Sequence, residues 1–127
     1  MRALQPPGWP QPKGYANGIE ANGIVFTGGM IGWDETGAFP HQDLAGQAGQ
    51  ALRNVVAVLA QAGAAPADVV RLTWYITDRE EYLARPKEIG AAYRAVMGAH
   101  FPAMAVVVVA GLLEPRAKVE IEATAVR

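Results

Sequence analysis

The sequence has no cysteine, only two histidines and almost no net charge. Without cysteine there is no disulfide framework, no thiol nucleophile and no thiolate metal site. The chain has 11 Lys and Arg residues against 12 Asp and Glu residues. It therefore lacks the cationic field with which proteins neutralise phosphate groups, and we expect no nucleic-acid partner.

Long hydrophobic runs and targeting segments are also missing. The longest apolar run, residues 104–113, is about half of the roughly 20 residues that a membrane-spanning helix needs. The first 14 residues lack the apolar region of a signal peptide. With 127 residues, of which 51% are hydrophobic, the chain suits one folded domain, 1–127. We expect this domain to be cytoplasmic, with no membrane partner.

The chain contains none of the common short catalytic motifs. It has no GxSxG elbow, no P-loop, no GxGxxG after a strand and no HExxH. His41 and His100 are far apart in sequence and each lies near a predicted loop. We therefore predict that both histidines are solvated, and we expect no metal and no organic cofactor.

The N-terminal part predicts an irregular leader followed by a hairpin. Residues 1–14 carry four prolines, which cannot donate to a β-ladder or continue a helix. Two β-type runs follow at 16–21 and 24–30, and Asn22-Gly23 lies between them. An Asn-Gly pair in this position favours a tight hairpin, because both turn residues need a positive φ.

The middle of the chain changes to a helical period. Asp43 suits the N-cap of a helix and Gly63 suits the position just after its last turn. Between them, apolar side chains recur at helical spacing and form one stripe. The stripe consists of Leu44, Ala48, Leu52, Val55 and Leu59. Residues 69–77 are rich in β-branched and aromatic side chains and predict a third strand.

The C-terminal part predicts one further helix and two further strands. A short turn is expected at 79–84, and a helix at 86–98 with Pro86 in its first turn. The apolar run 103–112 and the alternating run 118–126 predict the last two strands.

The resulting order, ββαβαββ, has too few helices to cover both faces of a sheet. The run 103–112 is apolar on both faces and has to be buried on both. Two helices cover one face, so we expect another copy of the chain to cover the other. This argument predicts an obligate homo-oligomer with clefts between subunits, and it leaves the number of subunits open.

Two carboxylates are the main candidates for chemistry. Glu120 and Glu122 share one strand face, about 6.5–7 Å apart by strand rise. In a cleft, a partly desolvated carboxylate can act as a general base on water. The alternative is a solvated or ion-paired strand face. Several aromatic residues can line an apolar pocket or fill a core or interface. They are Trp9, Tyr15, Trp33, Trp74 and Phe101.

Several separated segments, in the same order, resemble the RidA (YjgF) family. They are Gly14-Tyr15-Ala16-Asn17-Gly18, Phe26-Thr27-Gly28-Gly29-Met30-Ile31, Gln50-Ala51-Leu52-Arg53-Asn54-Val55, the strand at 69–78, Phe101-Pro102-Ala103 and the strand at 119–126. The resemblance implies a chorismate-mutase-like α+β fold, with a mixed sheet and two helices on one face. It also implies a homotrimer with pockets between adjacent subunits.

The resemblance further implies an enamine/imine deaminase. Such an enzyme adds water to a 2-imino acid and releases a 2-oxo acid and ammonia, without a cofactor. By resemblance, Glu120 is the catalytic residue that positions the attacking water. The residues expected to bind substrate are Tyr15, Gly28, Gly29, Met30, Phe101, Ala103 and Met104.

The chain departs from the family pattern at important positions. Met104 stands where the family has an Arg that grips the substrate carboxylate, and Gly90 stands where it has an Asn. Gly28 and Met30 replace the Ser and Gln of an S-G-Q segment. Without the arginine fork, a small 2-imino acid loses a contact worth about 1.5–3 kcal/mol, or roughly 10- to 100-fold in affinity. Arg71 and Arg116 are available cations, but the sequence assigns neither to the pocket.

Two functions remain open from the sequence. The first is a deaminase for a larger or differently charged enamine, similar to 2-aminomuconate deaminase, whose leader the segment GWPxPxGYANG resembles. The second is a trimer that has lost hydrolysis and binds a small molecule or a partner protein. The ribonuclease activity ascribed to some relatives is disfavoured by the near-neutral charge.

Overall fold

A computed structural model describes all 127 residues. Six strands and three helices follow one another along the chain. They are β1 (Arg2–Leu4), β2 (Gly18–Ala21), β3 (Ile24–Thr27), α1 (Leu44–Ala60), β4 (Val69–Ile76), α2 (Arg79–Ala84), α3 (Pro86–Met97), β5 (Ala103–Val108) and β6 (Val119–Val126), with a 3₁₀ turn at Pro66–Asp68. The six strands form a single sheet in the order β1-β2-β3-β6-β4-β5. Only the β4–β5 pair is parallel, so the predicted α+β fold with a mixed sheet is confirmed.

The sequence predicted an irregular leader, but part of the leader forms a strand. Residues Arg2–Leu4 form β1, which pairs antiparallel with β2. The first proline is Pro6, so the five residues before it keep the N–H groups that a strand needs. The Leu4 side chain is buried in the core, and Arg2 forms a 2.9 Å ion pair with Glu20. The rest of the leader runs without regular structure.

The predicted hairpin is confirmed, but its strands are shorter than expected. Asn22 and Gly23 have φ values of 53° and 78°, as a tight turn requires. The second strand ends at Thr27 instead of continuing to residue 30. Beyond Thr27 the backbone keeps the same two neighbours but no longer forms a continuous ladder: Gly28 N–H donates to Asn17 O, and Met30 forms an isolated bridge with Ile121 of β6.

Helix α1 is the central helix of the fold. It begins after Asp43, whose carboxylate accepts a hydrogen bond from Gly46 N, so the predicted cap is confirmed. All five residues of the predicted apolar stripe are fully buried. Gly63 follows the helix with a φ of +71°, a conformation that favours glycine.

The helices leave one face of the sheet bare. Along β6, the residues that face α1 are buried, namely Val119, Ile121, Ala123 and Ala125. The alternate residues lie on the opposite face, which we call the open face. It includes Glu120, Glu122, Thr73, Tyr75 and Val107.

Strand β5 lies at the edge of the sheet. It is hydrogen-bonded only to β4 and ends at Val108, four residues earlier than predicted. Its apolar side chains remain exposed in the single chain, and Val107 has 41% of its surface accessible. No element of the chain covers this strand on the open face.

Two smaller findings complete the fold. The turn expected at 79–84 is instead helix α2, because the Asp78 carboxylate caps it by accepting from Glu81 N at 2.9 Å. No helix of the chain has both the length and the apolar character needed to span a bilayer.

Candidate active site

The Glu120 carboxylate lies on the open face against the backbone of Gly29. A Cβ atom on Gly29 would overlap the carboxyl group, so glycine at this position leaves room for the Glu120 side chain in its present conformation. Glu120 is half-buried, and its carboxylate takes part in no hydrogen bond or ion pair within the chain. Its oxygens are therefore free to accept a proton.

The neighbours of Glu120 shape its acidity. Tyr75 is paired directly with Glu120 across β4 and β6, and its hydroxyl donates to Glu122 Oε1 at 2.6 Å. Burial, and then the nearby negative charge of Glu122, raise the pKa of Glu120 above its usual 4.5. The bond to Glu122 raises the pKa of Tyr75 above 10, so that hydroxyl keeps its proton at neutral pH.

Three of the expected site residues meet at a first cavity, which we call the leader cavity. It encloses about 310 Å³ between the proline-rich leader and the loop after β3. Its walls include Trp9, Tyr15, Gly29, Met30, Trp33 and Asn54. The Asn54 amide donates to Ile31 O at 2.9 Å and to Trp33 O at 2.8 Å, which holds that loop in place.

Met30 contributes little side-chain surface to the leader cavity. Only 4% of the residue is exposed, and its side chain belongs to the hydrophobic core. Its backbone N–H and C=O are both paired with Ile121. Its expected contact with substrate therefore stays a prediction.

Two other expected residues line a second cavity, which we call the helix cavity. It also encloses about 310 Å³ and lies between the edge of the sheet, α2 and α3. Its walls are mostly apolar and include Trp74, Leu83, Gly90, Arg94, Phe101 and Met104. Phe101 stacks on Tyr93 with ring centroids 5.6 Å apart, and Met104 is 46% exposed.

The remaining two expected residues lie outside both cavities. Gly28 faces the carbonyl oxygens of Ala16 and Asn17, with its own N–H bound to Asn17. Ala103 is exposed on the open face at the start of β5. Their roles as substrate contacts also stay predictions.

The sheet separates Glu120 from Met104 within one chain. Met104 pairs with Leu72, whose side chain is buried on the helix side of the sheet. Glu120 pairs with Tyr75 on the open face. Neighbouring residues on paired strands point to the same face, so Glu120 and Met104 point to opposite faces. The expected site residues therefore form two separate groups within one chain.

The sequence missed Tyr75 and Arg94 as neighbours of the site. The period-2 alternation of the strand at 69–77 was a usable signal for Tyr75, since it shares a face with Thr73 and the two glutamates. The i, i+4 spacing from Gly90 was a usable signal for Arg94. The aromatic residues do line pockets, but they divide between the two cavities.

The histidines take no part in either cavity. His41 is half-buried with its ring beside Gly46, so the prediction that it is solvated was wrong. The prediction for His100 was wrong, because the residue is half-buried and its Nε2 lies 2.7 Å from Val69 O. A loop next to a strand edge can reach an unpaired strand carbonyl, which the local sequence does not show. No group of three or more His, Cys, Asp or Glu side chains is placed to hold a metal ion.

Fold and site together define a small α+β protein with a half-buried glutamate on a sheet face that no helix covers. The sequence model of the Ribonuc_L-PSP family, described as endoribonuclease L-PSP, matches residues 10–127. The chain belongs to this family, which is also known as YjgF/RidA.

Named relatives show how close the similarity is. The chain is 37% identical over 117 residues to a 2-iminobutanoate/2-iminopropanoate deaminase of Salmonella typhimurium, covering 89% of this chain and 87% of that protein. The crystal structure of the YjgF gene product of E. coli is similar with a TM-score of 0.85 at 34% identity, over 100% of this chain and 99% of that one. E. coli TdcF with bound serine is similar with a TM-score of 0.85 at 31% identity, over 100% and 99%.

Proposed function

We propose that this protein is an enamine/imine deaminase that hydrolyses its substrate to an oxo compound and ammonia. One observation carries the proposal: the Glu120 carboxylate is half-buried, unpartnered and has a raised pKa beside Gly29. A carboxylate in this state is suited to take a proton from water. The names of the relatives support the same reaction, since the Salmonella protein is called an imino-acid deaminase.

The proposed reaction needs only water as co-reactant. Glu120 accepts a proton from water while the water oxygen bonds to the imine carbon, and the C=N bond becomes a C–N bond. Glu120 returns this proton to nitrogen, and the hydroxyl proton of the adduct then follows it by way of the same carboxylate, so that the C=O bond forms, the C–N bond breaks and ammonia leaves. Atoms and charge balance without an oxidant or reductant, so we propose no metal and no organic cofactor.

We further propose a homotrimer, in which neighbouring subunits bring together the two halves of the site. Within one chain Met104 and Glu120 point to opposite faces of the sheet, and β5 carries exposed apolar residues. A second copy against the open face buries these residues and can supply the missing half. The number three rests on the family resemblance. We propose one RidA-like domain over 1–127, located in the cytoplasm.

The substrate is proposed to differ from a small 2-imino acid. Met104 provides no charge for a carboxylate, and the helix cavity around it is mostly apolar. The apolar and aromatic walls suit a larger or extended conjugated enamine, and the resemblance of the leader to that of 2-aminomuconate deaminase favours a substrate of the 2-aminomuconate type. The same loss of the arginine favours a second candidate, a trimer without hydrolysis that binds a small molecule or a partner protein.

Ammonia release decides between the two candidates. We expect release from 2-aminomuconate or from 2-imino acids made in situ by an amino-acid oxidase, measured with glutamate dehydrogenase. Glu120→Gln is expected to lower kcat by about 10²- to 10⁴-fold, the usual contribution of a general base. Glu122→Gln is the matched control on the same strand face and should stay within a few-fold of the parent chain.

Each unfavourable result has a definite meaning. Full activity of Glu120→Gln would remove Glu120 from the catalytic role. If the parent chain releases no ammonia above background from either substrate class, the binding protein replaces the deaminase as the proposed function.

A further inference from the structure

Arg94 is a cation without a partner at the wall of the helix cavity. The four ion pairs of the chain use Arg2, Arg79, Arg116 and Lys118, but not Arg94. Its guanidinium group also donates to no side chain or backbone carbonyl. An arginine in this state has its whole donor fork available for a ligand.

Gly90 makes the position of Arg94 possible. The two residues lie one turn apart on α3, and side chains in a helix lean toward the preceding turn. Arg94 Nη1 lies 3.1 Å from the point that a Cβ atom on Gly90 would occupy. The guanidinium thus folds back over the bare helix surface at residue 90, and both residues line the helix cavity together with Met104.

The other candidate cations are placed elsewhere. Arg116 is bound to Glu114 at 3.0 Å and stacks over Phe39 at 4.6 Å. Arg71 lies in a third cavity of about 230 Å³ that also contains Glu122. Neither residue lines the helix cavity, so Arg94 is the cation that this cavity offers.

We propose that Arg94 binds the carboxylate of the substrate, so that the cation missing from position 104 is supplied from helix α3. The two departures from the family pattern, Gly90 in place of Asn and Met104 in place of Arg, then go together: the first makes room for a cation that replaces the one lost by the second. The substrate class that follows is a 2-imino acid with a large apolar side chain, which packs against Met104, Phe101 and Leu83. This inference rests on the proposed deaminase function for its reaction, but the carboxylate contact can be tested by itself.

The direct test is binding of a 2-oxo acid, the product class, measured by calorimetry. Phenylpyruvate and 2-oxobutanoate are the probes. We expect phenylpyruvate to bind more tightly, and Arg94→Met to weaken its binding by about 10- to 100-fold. Arg94→Lys should recover part of the affinity, because it keeps the charge but not the fork. Arg53→Met, on the exposed side of α1, is the matched control and should bind like the parent chain.

A second pair of variants tests the geometry. Gly90→Leu fills the space over which the guanidinium folds, and it replaces glycine by a better helix former. We therefore expect weaker phenylpyruvate binding with an unfolding temperature that is unchanged or higher. Met104→Arg added to Arg94→Met should restore binding, because it returns a cation to the same cavity.

The kinetic readout separates the two proposals. With a 2-imino acid made from phenylalanine, Arg94→Met should raise KM by the factor by which it weakens phenylpyruvate binding. Its kcat should stay within a few-fold of the parent chain's kcat. Binding of phenylpyruvate that is absent, or equal in the parent chain and Arg94→Met, overturns the Arg94 proposal even if ammonia is released. Binding that depends on Arg94 without any ammonia release supports Arg94 and rejects the deaminase.

Discussion

At the scale of single residues, the two glutamates of β6 differ in their surroundings although they share one strand face. Glu122 accepts a 2.6 Å hydrogen bond from the Tyr75 hydroxyl. Glu120 has no such donor and lies against the backbone of Gly29. The charge on Glu120 is therefore poorly stabilised, which suits its carboxylate to accept a proton.

The raised pKa of Glu120 predicts a pH-dependent gain in stability for Glu120→Gln. Because the folded-state pKa lies above the unfolded value, ionised Glu120 destabilises the folded state above that raised pKa. Glutamine removes this penalty, so the variant should melt at a higher temperature at pH 8. The gain should shrink as the pH falls through the raised pKa and vanish at pH 3.5, below the unfolded value.

Calorimetric unfolding of the parent chain and of Glu120→Gln between pH 3.5 and pH 8 checks this expectation. Glu122→Gln serves as the comparison, since its neutral amide oxygen accepts a weaker bond from Tyr75 than the carboxylate does, and the variant should melt at a lower temperature at pH 8. A Glu120→Gln chain that melts below the parent at pH 8 contradicts the assigned cause of the raised pKa.

At the scale of elements, the Glu81 side chain connects α2 to the start of α1 and to Lys118. Its Oε2 accepts from the backbone N–H of Leu44 at 2.7 Å, at the start of α1, and its Oε1 accepts from Lys118 Nζ at 2.6 Å. A six-residue helix is too short to be stable alone, so these bonds supply the support that the sequence of α2 lacks. They also position the wall of the helix cavity that contains Leu83.

We therefore predict that Glu81→Ala lowers the free energy of unfolding by about 1–3 kcal/mol, as expected for the loss of charge-assisted bonds at a half-buried site. Glu80→Ala is the matched control, because the neighbouring Glu80 side chain is 87% exposed and forms only a 3.8 Å pair with Arg79. That variant should stay within about 0.5 kcal/mol of the parent. Denaturant unfolding of the parent chain, Glu81→Ala and Glu80→Ala measures the free energy of unfolding of each. Equal losses in the two variants would show that the bonds of Glu81 do not stabilise the packing of α2.

At the scale of the whole molecule, the open face is the surface through which we expect the chain to associate with further copies of itself. A sheet face that carries Val107, Tyr75 and other apolar groups next to an unpaired edge strand is a surface suited to a second copy. In the homotrimer that we propose, the same association joins the leader cavity of one subunit to the helix cavity of another. Assembly and activity should therefore be lost together.

Val107→Asp tests this connection. A carboxylate in the centre of the proposed interface costs desolvation without a partner, so we expect the assembly to dissociate into single chains of 13.5 kDa. Light scattering should give three times that mass for the parent chain. Ala91→Asp, on the exposed side of α3, is the control and should keep the parent's mass. A Val107→Asp chain that remains assembled would place the interface elsewhere.

Local patterns in the chain were enough to predict most elements and the family. The stripe of α1, its Asp43 cap and the Asn22-Gly23 turn all depend on interactions between residues close in sequence, and all are confirmed. The segments that resemble the family, from Tyr15 to Glu120, could likewise be recognised by their order along the chain.

Only the tertiary structure decided which residues face one another. Strand register places Glu120 and Met104 on opposite sides of the sheet, and the long-range bonds of Glu81 add to the local Asp78 cap in stabilising the helix at 79–84. The fold also brings Arg94 together with Met104 and Leu83, from other elements, around one cavity. These contacts join residues far apart in the chain, so their free energy depends on the assembled sheet and cannot be derived from a local pattern.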